Sequence, residues 1–364
     1  MKRSIRTVFA VATAAITILA AVRPAHAGGP YAERSDQTLS PAGLSGLVLD
    51  NPRGLVRIRP STDGQLHVTA IKICRLQREE DSRRYARETA VESRAENGRW
   101  AVRVTYPKRI KAQIDFWDFF RSRSQHEMRF PLVEVQVLIE APPAWAARVT
   151  TVSGDVDVEG LAGMLELHST SGDLHVAATP GNVSAASVSG DLEVIRTGRC
   201  TARTVSGDVH VEDAGVLRVT TTSGDIDVRD TRDSLLLAST SGDLDVEGAP
   251  RGVTGTSSSG DIRVTAASGV VKVETRSGDI ALMLDRDLRG CSARTTSGEL
   301  TAELESRLDA TLDLRTVSGS MDCTAPVRLT TKERTRLSAV FGRGGVPVAL
   351  QTVSGDITLT SGGH

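Results

Sequence analysis

The sequence predicts an all-β fold: a right-handed parallel β-solenoid of about 18 residues per coil, with an N-terminal strand-rich cap. One observation behind this prediction is a motif, Ser/Thr-x-Ser-Gly followed by an acid, that recurs about every 18 residues through the last two thirds of the 364-residue chain. Another is a set of apolar columns at fixed distances from each motif glycine. Two short strands and two corners cannot bury their own apolar face, so such units are stable only when they stack, and we expect each unit to lie directly over the one before it. Connections between parallel strands are almost always right-handed, which sets the expected hand.

The motif glycines mark one corner of each coil. Glycine permits a left-handed or tightly stacked corner that a Cβ atom would obstruct. We expect the hydroxyl residues directly before it and three before it to form ladders that satisfy backbone groups of the corner. The eleven glycines are Gly154, Gly172, Gly190, Gly207, Gly224, Gly242, Gly260, Gly278, Gly298, Gly319 and Gly355.

Each coil is predicted to contain two strands. The residues two and four after glycine are apolar, beginning with Val156 and Val158, and the position between them is mostly polar, which is typical of a half-buried strand. Further apolar columns lie seven and five residues before glycine and predict the second strand. No aromatic residue occurs from 146 to 340, as expected for a coil with little room between its sheets.

The residue after glycine is Asp in nine of the eleven copies, with Glu299 and Ser320 in the other two. One interpretation is that each Asp accepts backbone N–H bonds within its own corner. The alternative is a calcium-binding repeat, as in secreted calcium rolls. Those rolls use Gly-Gly-x-Gly-x-Asp, which this chain lacks, so the sequence favours the turn interpretation and predicts no metal and no cofactor.

The outward column three after glycine is rich in potential ligands: Asp157, His175, Glu193, His210, Asp227 and Asp245. A solvated ladder of charges explains these residues more simply than a metal site, whose geometry is demanding. We therefore interpret four of them as candidate partner contacts: His175, Glu193, His210 and Asp227.

The N-terminus resembles a secretory signal. A basic start containing Lys2, Arg3 and Arg6 precedes the apolar stretch 8–21, and Ala25-His26-Ala27 has the form of a cleavage site. The prediction is a signal peptide at 1–27, export to the periplasm, the cell surface or the medium, and no transmembrane segment in the mature chain.

Residues 28–145 are predicted to cap the solenoid, which would occupy 146–361. The sequence indicates a hairpin over 47–58, a strand over 66–74, a charged helix over 78–88, a tight hairpin at Asn97-Gly98, and a strand over 132–140. An end cap is needed because the first coil would otherwise expose an apolar end.

Four aromatic residues are concentrated in this region: Phe116, Trp117, Phe119 and Phe120. Basic residues flank them across 108–123. Packing over the end of the solenoid is one interpretation, and peripheral contact with a partner or membrane surface through 108–123 is the other.

Charge and cysteine content restrict the function further. Residues 151–325 carry 28 acidic against 15 basic side chains, which argues against nucleic acid as a partner. Cys200, Cys291 and Cys323 occupy core columns and are predicted to be buried thiols, whereas the sequence gives Cys74 no role.

The repeated Thr-Val-Ser-Gly-Asp units at 151–156, 204–209 and 352–357, together with the signal and the strand-rich head, resemble a bacterial family of unknown function known as β-strand-repeat adhesins. The resemblance covers about residues 45–361 and includes 341–347. The adhesin label of that family is an inference from fold, and the resemblance implies no catalytic residues.

These observations favour an exported, non-enzymatic envelope protein, an adhesin or scaffold that presents a rigid acidic surface to an unknown envelope or surface component. A carbohydrate-binding or carbohydrate-active β-helix protein is the alternative. Its enzymatic form would need long corner loops that build a groove, whereas the corners here are short, and no Gly-x-Ser-x-Gly or His-Glu-x-x-His motif occurs.

Overall fold

The computed structural model describes residues 21–23, 31–41, 43–76, 78–107 and 132–362, which form thirty strands and one helix. Most of the predicted signal segment and all of the aromatic and basic segment 108–123 lie outside these residues, so both remain predictions. The all-β prediction is confirmed.

The N-terminal region contains eight strands and the helix. They are β1 (Ala21–Arg23), β2 (Tyr31–Leu39), β3 (Gly46–Asp50), β4 (Val56–Pro60), β5 (Leu66–Arg75), α1 (Glu79–Glu88), β6 (Ala90–Glu96), β7 (Arg99–Thr105) and β8 (Leu132–Ala141). The predicted strand over 66–74, helix over 78–88 and strand over 132–140 are therefore present. The hairpin β6–β7 turns at Asn97 and Gly98, whose φ angles are 51° and 75°, as a tight turn of this type requires.

The repeat region alternates a strand before each motif with a strand after it. The strands are β9 (Ala146–Thr150), β10 (Val156–Glu159), β11 (Leu165–His168), β12 (Leu174–Thr179), β13 (Val183–Ala186), β14 (Leu192–Thr197), β15 (Cys200–Arg203), β16 (Val209–Ala214), β17 (Leu217–Thr220), β18 (Ile226–Arg229), β19 (Leu235–Ala238), β20 (Leu244–Ala249), β21 (Gly252–Thr256), β22 (Ile262–Glu274), β23 (Ile280–Arg294) and β24 (Leu300–Glu305). The long strands β22 and β23 each run through a corner and contribute to both sides of the coil.

The C-terminal strands are β25 (Ala310–Arg315), β26 (Met321–Cys323), β27 (Val327–Lys332), β28 (Arg336–Phe341), β29 (Val346–Gln351) and β30 (Ile357–Gly362).

The pairings join all thirty strands, and two parallel stacks can be followed through them. Stack A contains the strands that precede each motif, and stack B contains the strands that follow it. Within a stack each strand pairs in parallel with the equivalent strand of the next repeat, as in Val156 with Leu174 and Leu174 with Leu192. The motif columns therefore stack as the sequence predicts.

The core lies between the two stacks. Val156 and Val158 of β10 and Leu165 and Leu167 of β11 are at most 1% exposed, and the residues between them face outward. One hydrophobic cluster runs from Leu39 in the N-terminal region to residues of the last strand. The core therefore continues without a break across the predicted boundary between 145 and 146.

The region 47–58 is not a hairpin, and this prediction was wrong. β3 and β4 do not pair with each other; β3 pairs in parallel with β7 and β9, and β4 pairs in parallel with β8 and β10. They form one more coil, inserted between the coil of β7 and β8 and the coil of β9 and β10. Gly54 occupies the motif position of this coil, because a Cβ on Gly154 would collide with its carbonyl group.

The C-terminal end repeats this arrangement. β29 pairs with both β23 and β25, and β30 pairs with both β24 and β26. The last coil of the chain is thus inserted between its two predecessors, and Gly355 lies between Gly298 and Gly319 in the glycine column. The sequence predicts that each copy lies directly over the one before it, and for these copies that prediction was wrong.

Antiparallel strands continue both ends of the stacks. At the N-terminal end β6 follows β7, and β5 and β2 follow β8. At the C-terminal end the hairpin β27–β28 follows β25. The end strands therefore extend the parallel stacks with antiparallel partners.

The four cysteines are free thiols. Cys200 and Cys291 are buried in the core, as predicted. Cys74 is buried in a small cluster with Tyr85, Ala86 and Val133. Burial raises the pKa of the Cys200 thiol to about 12. Cys323 is only half-buried, contrary to the prediction, because its strand β26 is the last of stack B.

Candidate functional surfaces

The motif hydroxyls are used inside the corner. In the first seven copies the hydroxyl oxygen three residues before glycine accepts a hydrogen bond from the glycine N–H, as from Gly154 to Thr151 at 2.9 Å and from Gly207 to Thr204 at 3.0 Å. In later copies the hydroxyl donates to a glycine carbonyl of an adjacent coil, as from Thr295 to Gly278 at 2.9 Å. These side chains are buried, so they stabilise the corner rather than contact a ligand.

The Asp residues after the motif glycines form a continuous ladder, which we call the Asp ladder. Each carboxylate accepts a hydrogen bond from the backbone N–H of the equivalent residue in the next coil, as from Asp191 to Asp173 at 2.9 Å and from Asp208 to Asp191 at 2.8 Å. The predicted bond within each Asp residue's own corner is therefore not the one formed. Backbone N–H groups partly compensate the repulsion between stacked carboxylates.

A second ladder runs along the outer surface of stack B, three residues after each glycine. We call it the outward ladder, and its consecutive register partners are Arg57, Asp157, His175, Glu193, His210, Asp227, Asp245 and Arg263. The structure thus brings together the four residues predicted as partner contacts on this face, His175, Glu193, His210 and Asp227.

The side chains of the outward ladder bind one another. His175 Nδ1 lies 2.8 Å from Glu193 Oε2, and His210 Nδ1 lies 3.1 Å from Asp227 Oδ2. Their side chains remain between 35% and 51% exposed, so this ordered surface is open to a partner. Hydrogen bonds thus hold these two pairs together on the outer face of stack B.

The N-terminal end of the outward ladder is held more tightly. Arg57 and Arg59 both donate to the Asp157 carboxylate, at 2.9 and 2.8 Å. Burial opposes ionisation of Asp157, but these two guanidinium groups outweigh it and hold the pKa of that carboxyl below its ordinary value. Sequence reasoning missed both arginines because it did not recognise their coil as part of the array.

Two shallow depressions lie on the surface of the described residues. One of about 360 Å³ adjoins the outward ladder beside Arg57, Arg59 and His67. The other, of about 350 Å³, lies on stack A near the C-terminal end, beside Arg294, Arg315 and Gln351.

Two further properties concern the described residues alone. No group of three or more His, Cys, Asp or Glu side chains there is arranged to hold a metal ion. No helix in the same part of the chain is long and apolar enough to cross a membrane. The predicted contact residues Phe116, Trp117, Phe119 and Phe120 lie outside it.

Three solved structures align with most of this chain but share little sequence identity with it. They are "a putative cell adhesion protein" from Clostridium sporogenes (8% identity, 92% of this chain and 100% of that chain, TM-score 0.21), "a putative adhesin" from Bacteroides fragilis (11%, 90% and 96%, 0.27) and a "putative adhesin" from Parabacteroides distasonis (11%, 90% and 97%, 0.22). At these TM-scores the similarity does not establish a shared fold. A search of curated proteins gave no significant match.

The sequence model of one family does match. The Toastrack DUF4097 model matches residues 134–215 and 198–360, which together cover more than half of the chain. Both matches fall on the stacked repeats, and the first begins in β8, the strand that pairs with the inserted coil. The chain belongs to the Toastrack DUF4097 family.

Proposed function

We propose that this protein is an exported, non-enzymatic envelope protein that presents a rigid charged surface for adhesion or scaffolding. Its repeats wind as a right-handed β-solenoid of about 18 residues per coil. The observation that carries the proposal is the outward ladder, eight charged or titratable residues in consecutive register on one face of stack B.

Rigidity supports this proposal. Neighbouring strands in a sheet lie about 4.7–4.9 Å apart, so the ladder repeats its charges at a fixed spacing that a flexible loop would not maintain. The residues on either side of each ladder position are buried in the core, as Val209 and Val211 are beside His210. Such a surface suits a partner that carries repeated groups, because many weak contacts act together.

The motif residues are already engaged in structural hydrogen bonds, which supports the proposal that the protein is not an enzyme. The motif hydroxyls are buried in corner hydrogen bonds, and the Asp ladder carboxylates accept backbone N–H groups. General acid–base catalysis needs a side chain within hydrogen-bond reach of a bound substrate, usually in a concave site. The repeated corners offer the same environment many times instead of one distinct pair.

The test is binding of the full chain to an envelope fraction of the source bacterium, measured with a charge-reversed double variant, Glu193→Lys with Asp227→Lys. We expect binding to weaken at least about tenfold, because the ladder loses two carboxylates and gains two positive charges, which removes its charge complementarity to the partner. Asp50→Lys with Glu166→Lys makes the same change in net charge on the outer face of stack A and is the matched control. Equal losses in both double variants, or no loss in either, would contradict the proposal.

A further inference from the structure

A second charged surface lies on the opposite side of the molecule, at the C-terminal end of stack A. The outward column there has consecutive register partners Glu274, Arg294, Gln351, Arg315 and Arg336. Three arginines thus lie within four consecutive strands, although the repeat region as a whole is acidic. Only the C-terminal insertion of β29 brings Arg294 and Arg315 to either side of Gln351.

The carboxylates nearby do not neutralise these arginines fully. Arg315 and Arg336 share one carboxylate, that of Asp313, at 2.7 and 3.0 Å. Arg294 donates to the neutral Gln351 amide at 2.9 Å and has no ion pair among the described residues. Glu274 is its register neighbour on the other side. One positive charge therefore remains after both acids are counted.

Two of these arginines, Arg294 and Arg315, border a depression of about 350 Å³. Val317 and Val353, which are 64% and 47% exposed, lie beside it, and Thr335 closes one side. Thr316 N–H donates to the carbonyl of Thr335 in the turn between β27 and β28. In the middle of the array, another coil stacks at the equivalent position. The hairpin has no Ser-Gly corner, so the corner ladder ends and leaves this space open.

We propose that the depression binds one uronic acid unit of an acidic polysaccharide. A guanidinium group offers paired donors that match a carboxylate. At the edge of the depression Arg294 offers such a group, while Arg315, whose Nε and Nη2 bind Asp313, adds its positive charge and its remaining Nη1 donor. The valine methyl groups suit the C–H faces of a sugar ring, and the threonine and glutamine provide polar partners. The volume is at the lower end of the range for ligand sites, about 300–1,000 Å³, which fits one ring.

The acidic charge of the rest of the molecule favours a ligand that is a single polysaccharide chain over one that is an extended anionic surface. Residues 151–325 carry 28 acidic and 15 basic side chains, so a phospholipid membrane or a nucleic acid lying along the array would be repelled. A polysaccharide contacts the depression with one unit and can leave the acidic faces in solvent. This site lies on stack A and does not depend on the outward ladder.

The experiment uses the full chain, immobilised polygalacturonate, fully methyl-esterified polygalacturonate as the neutral polymer, and phosphatidylglycerol vesicles. We expect saturable binding to polygalacturonate alone. Arg294→Gln with Arg315→Gln should weaken it at least about tenfold, because the ligand carboxylate loses its charged hydrogen-bond donors. Arg203→Gln, in the same outward column at the middle of stack A, is the matched control and should bind as the wild type does.

Melting temperatures of all variants show whether the change is confined to binding, and Arg294→Lys provides a milder second variant that keeps the charge but loses the paired donors. The assignment would be overturned if polygalacturonate showed no saturable binding. It would also be overturned if Arg203→Gln weakened binding as much as the double variant does. Binding to the vesicles that depends on Arg294 and Arg315 would also overturn it, in favour of a phosphate site. Loss of ladder binding in Glu193→Lys with Asp227→Lys, with polygalacturonate binding intact, separates this site from the proposed function.

Discussion

The stacked glycines make the sharpest prediction about stability. A Cβ atom added to Gly207 would lie 2.6 Å from the carbonyl carbon of Gly190 and closer still to its oxygen. Ordinary carbon contacts begin near about 3.4–4.0 Å, and backbone cannot rotate out of the way as a side chain can. The two coils must therefore separate locally by about 1 Å if Gly207 is replaced by Ala.

Separation weakens the hydrogen bonds that join the two coils at this corner. Asp208 N–H donates to the Asp191 carboxylate at 2.8 Å, and Ser206 N–H donates to the Val188 carbonyl at 2.9 Å. Two such bonds contribute about 1 kcal/mol each, and overpacking adds about 1–3 kcal/mol. We expect Gly207→Ala to lower the free energy of unfolding by about 3–5 kcal/mol, a large part of the stability of an ordinary domain.

The chain provides a matched control in Gly255. It lies in a core strand of stack A, and an added Cβ would meet only side chains, Leu244 Cδ1 at 3.4 Å and Val273 Cγ1 at 3.5 Å. Gly255→Ala should leave stability unchanged or raise it by about 0.5–1 kcal/mol, because alanine reduces the entropy of the unfolded chain. Urea unfolding followed by far-UV circular dichroism measures both variants. A Gly207→Ala variant within about 1 kcal/mol of Gly255→Ala would refute the reasoning, because it would mean that the coils tolerate a Cβ between them.

Three further predictions concern particular groups. Asn51 is fully buried and donates to the Val135 carbonyl at 2.8 Å, so Asn51→Ala should lower the free energy of unfolding by about 2–4 kcal/mol, whereas a loss below about 1 kcal/mol would show that this bond does not hold the inserted coil. Because the pKa of Asp157 is lowered, its ionisation stabilises the fold above the ordinary pKa and that contribution is lost as the pH falls through the lowered value. Arg59→Gln should therefore be less stable than the wild type at neutral pH, and the difference in urea unfolding should shrink in acid; a difference independent of pH would contradict this. Since the carboxylates of the Asp ladder already accept backbone N–H bonds, the melting temperature should be the same in excess chelator and in millimolar calcium, and a calcium-dependent rise of several degrees would restore the calcium alternative.

The repeat could be predicted from the sequence because its columns are local. Every motif places its buried strands at fixed distances from glycine, and the register of the stacks repeats the same distances. The coil of β3 and β4 carries these columns too, with Leu47, Leu49, Val56 and Ile58 around Gly54. It was missed because its corner is Asn51-Pro52-Arg53-Gly54, without a serine before the glycine, and because it lies 100 residues before Gly154.

The order of the C-terminal coils could not be predicted from the columns. The coils around Gly319 and Gly355 present the same residue types to their neighbours, so either order buries the same core positions. The connection decides between them. Arg343 binds Asp309 through its backbone N–H at 2.7 Å and its guanidinium at 2.9 Å, which fixes the turn that leads β29 between β23 and β25.

The second corner of the coil was also hidden in the sequence. A left-handed residue occurs there in successive coils, with φ of 51° at Ala178, 52° at Arg196 and 49° at Asp213. Only some coils place glycine at this position, as at Gly160 and Gly248. Stacking therefore imposes a conformation that single residues disfavour by about 1 kcal/mol or more, and local propensity does not reveal it.

The placement of the first and last coils one position inside the array restricts how such a protein can change its length in evolution. A duplicated unit appended after β30 or before β3 could not stack on the adjacent coil, because β30 and β3 each already pair with a strand on both sides. Duplication of an interior unit meets no such obstacle, because each interior coil contacts only equivalent coils. Longer and shorter relatives should therefore differ in the number of middle units, while both terminal assemblies are inherited whole.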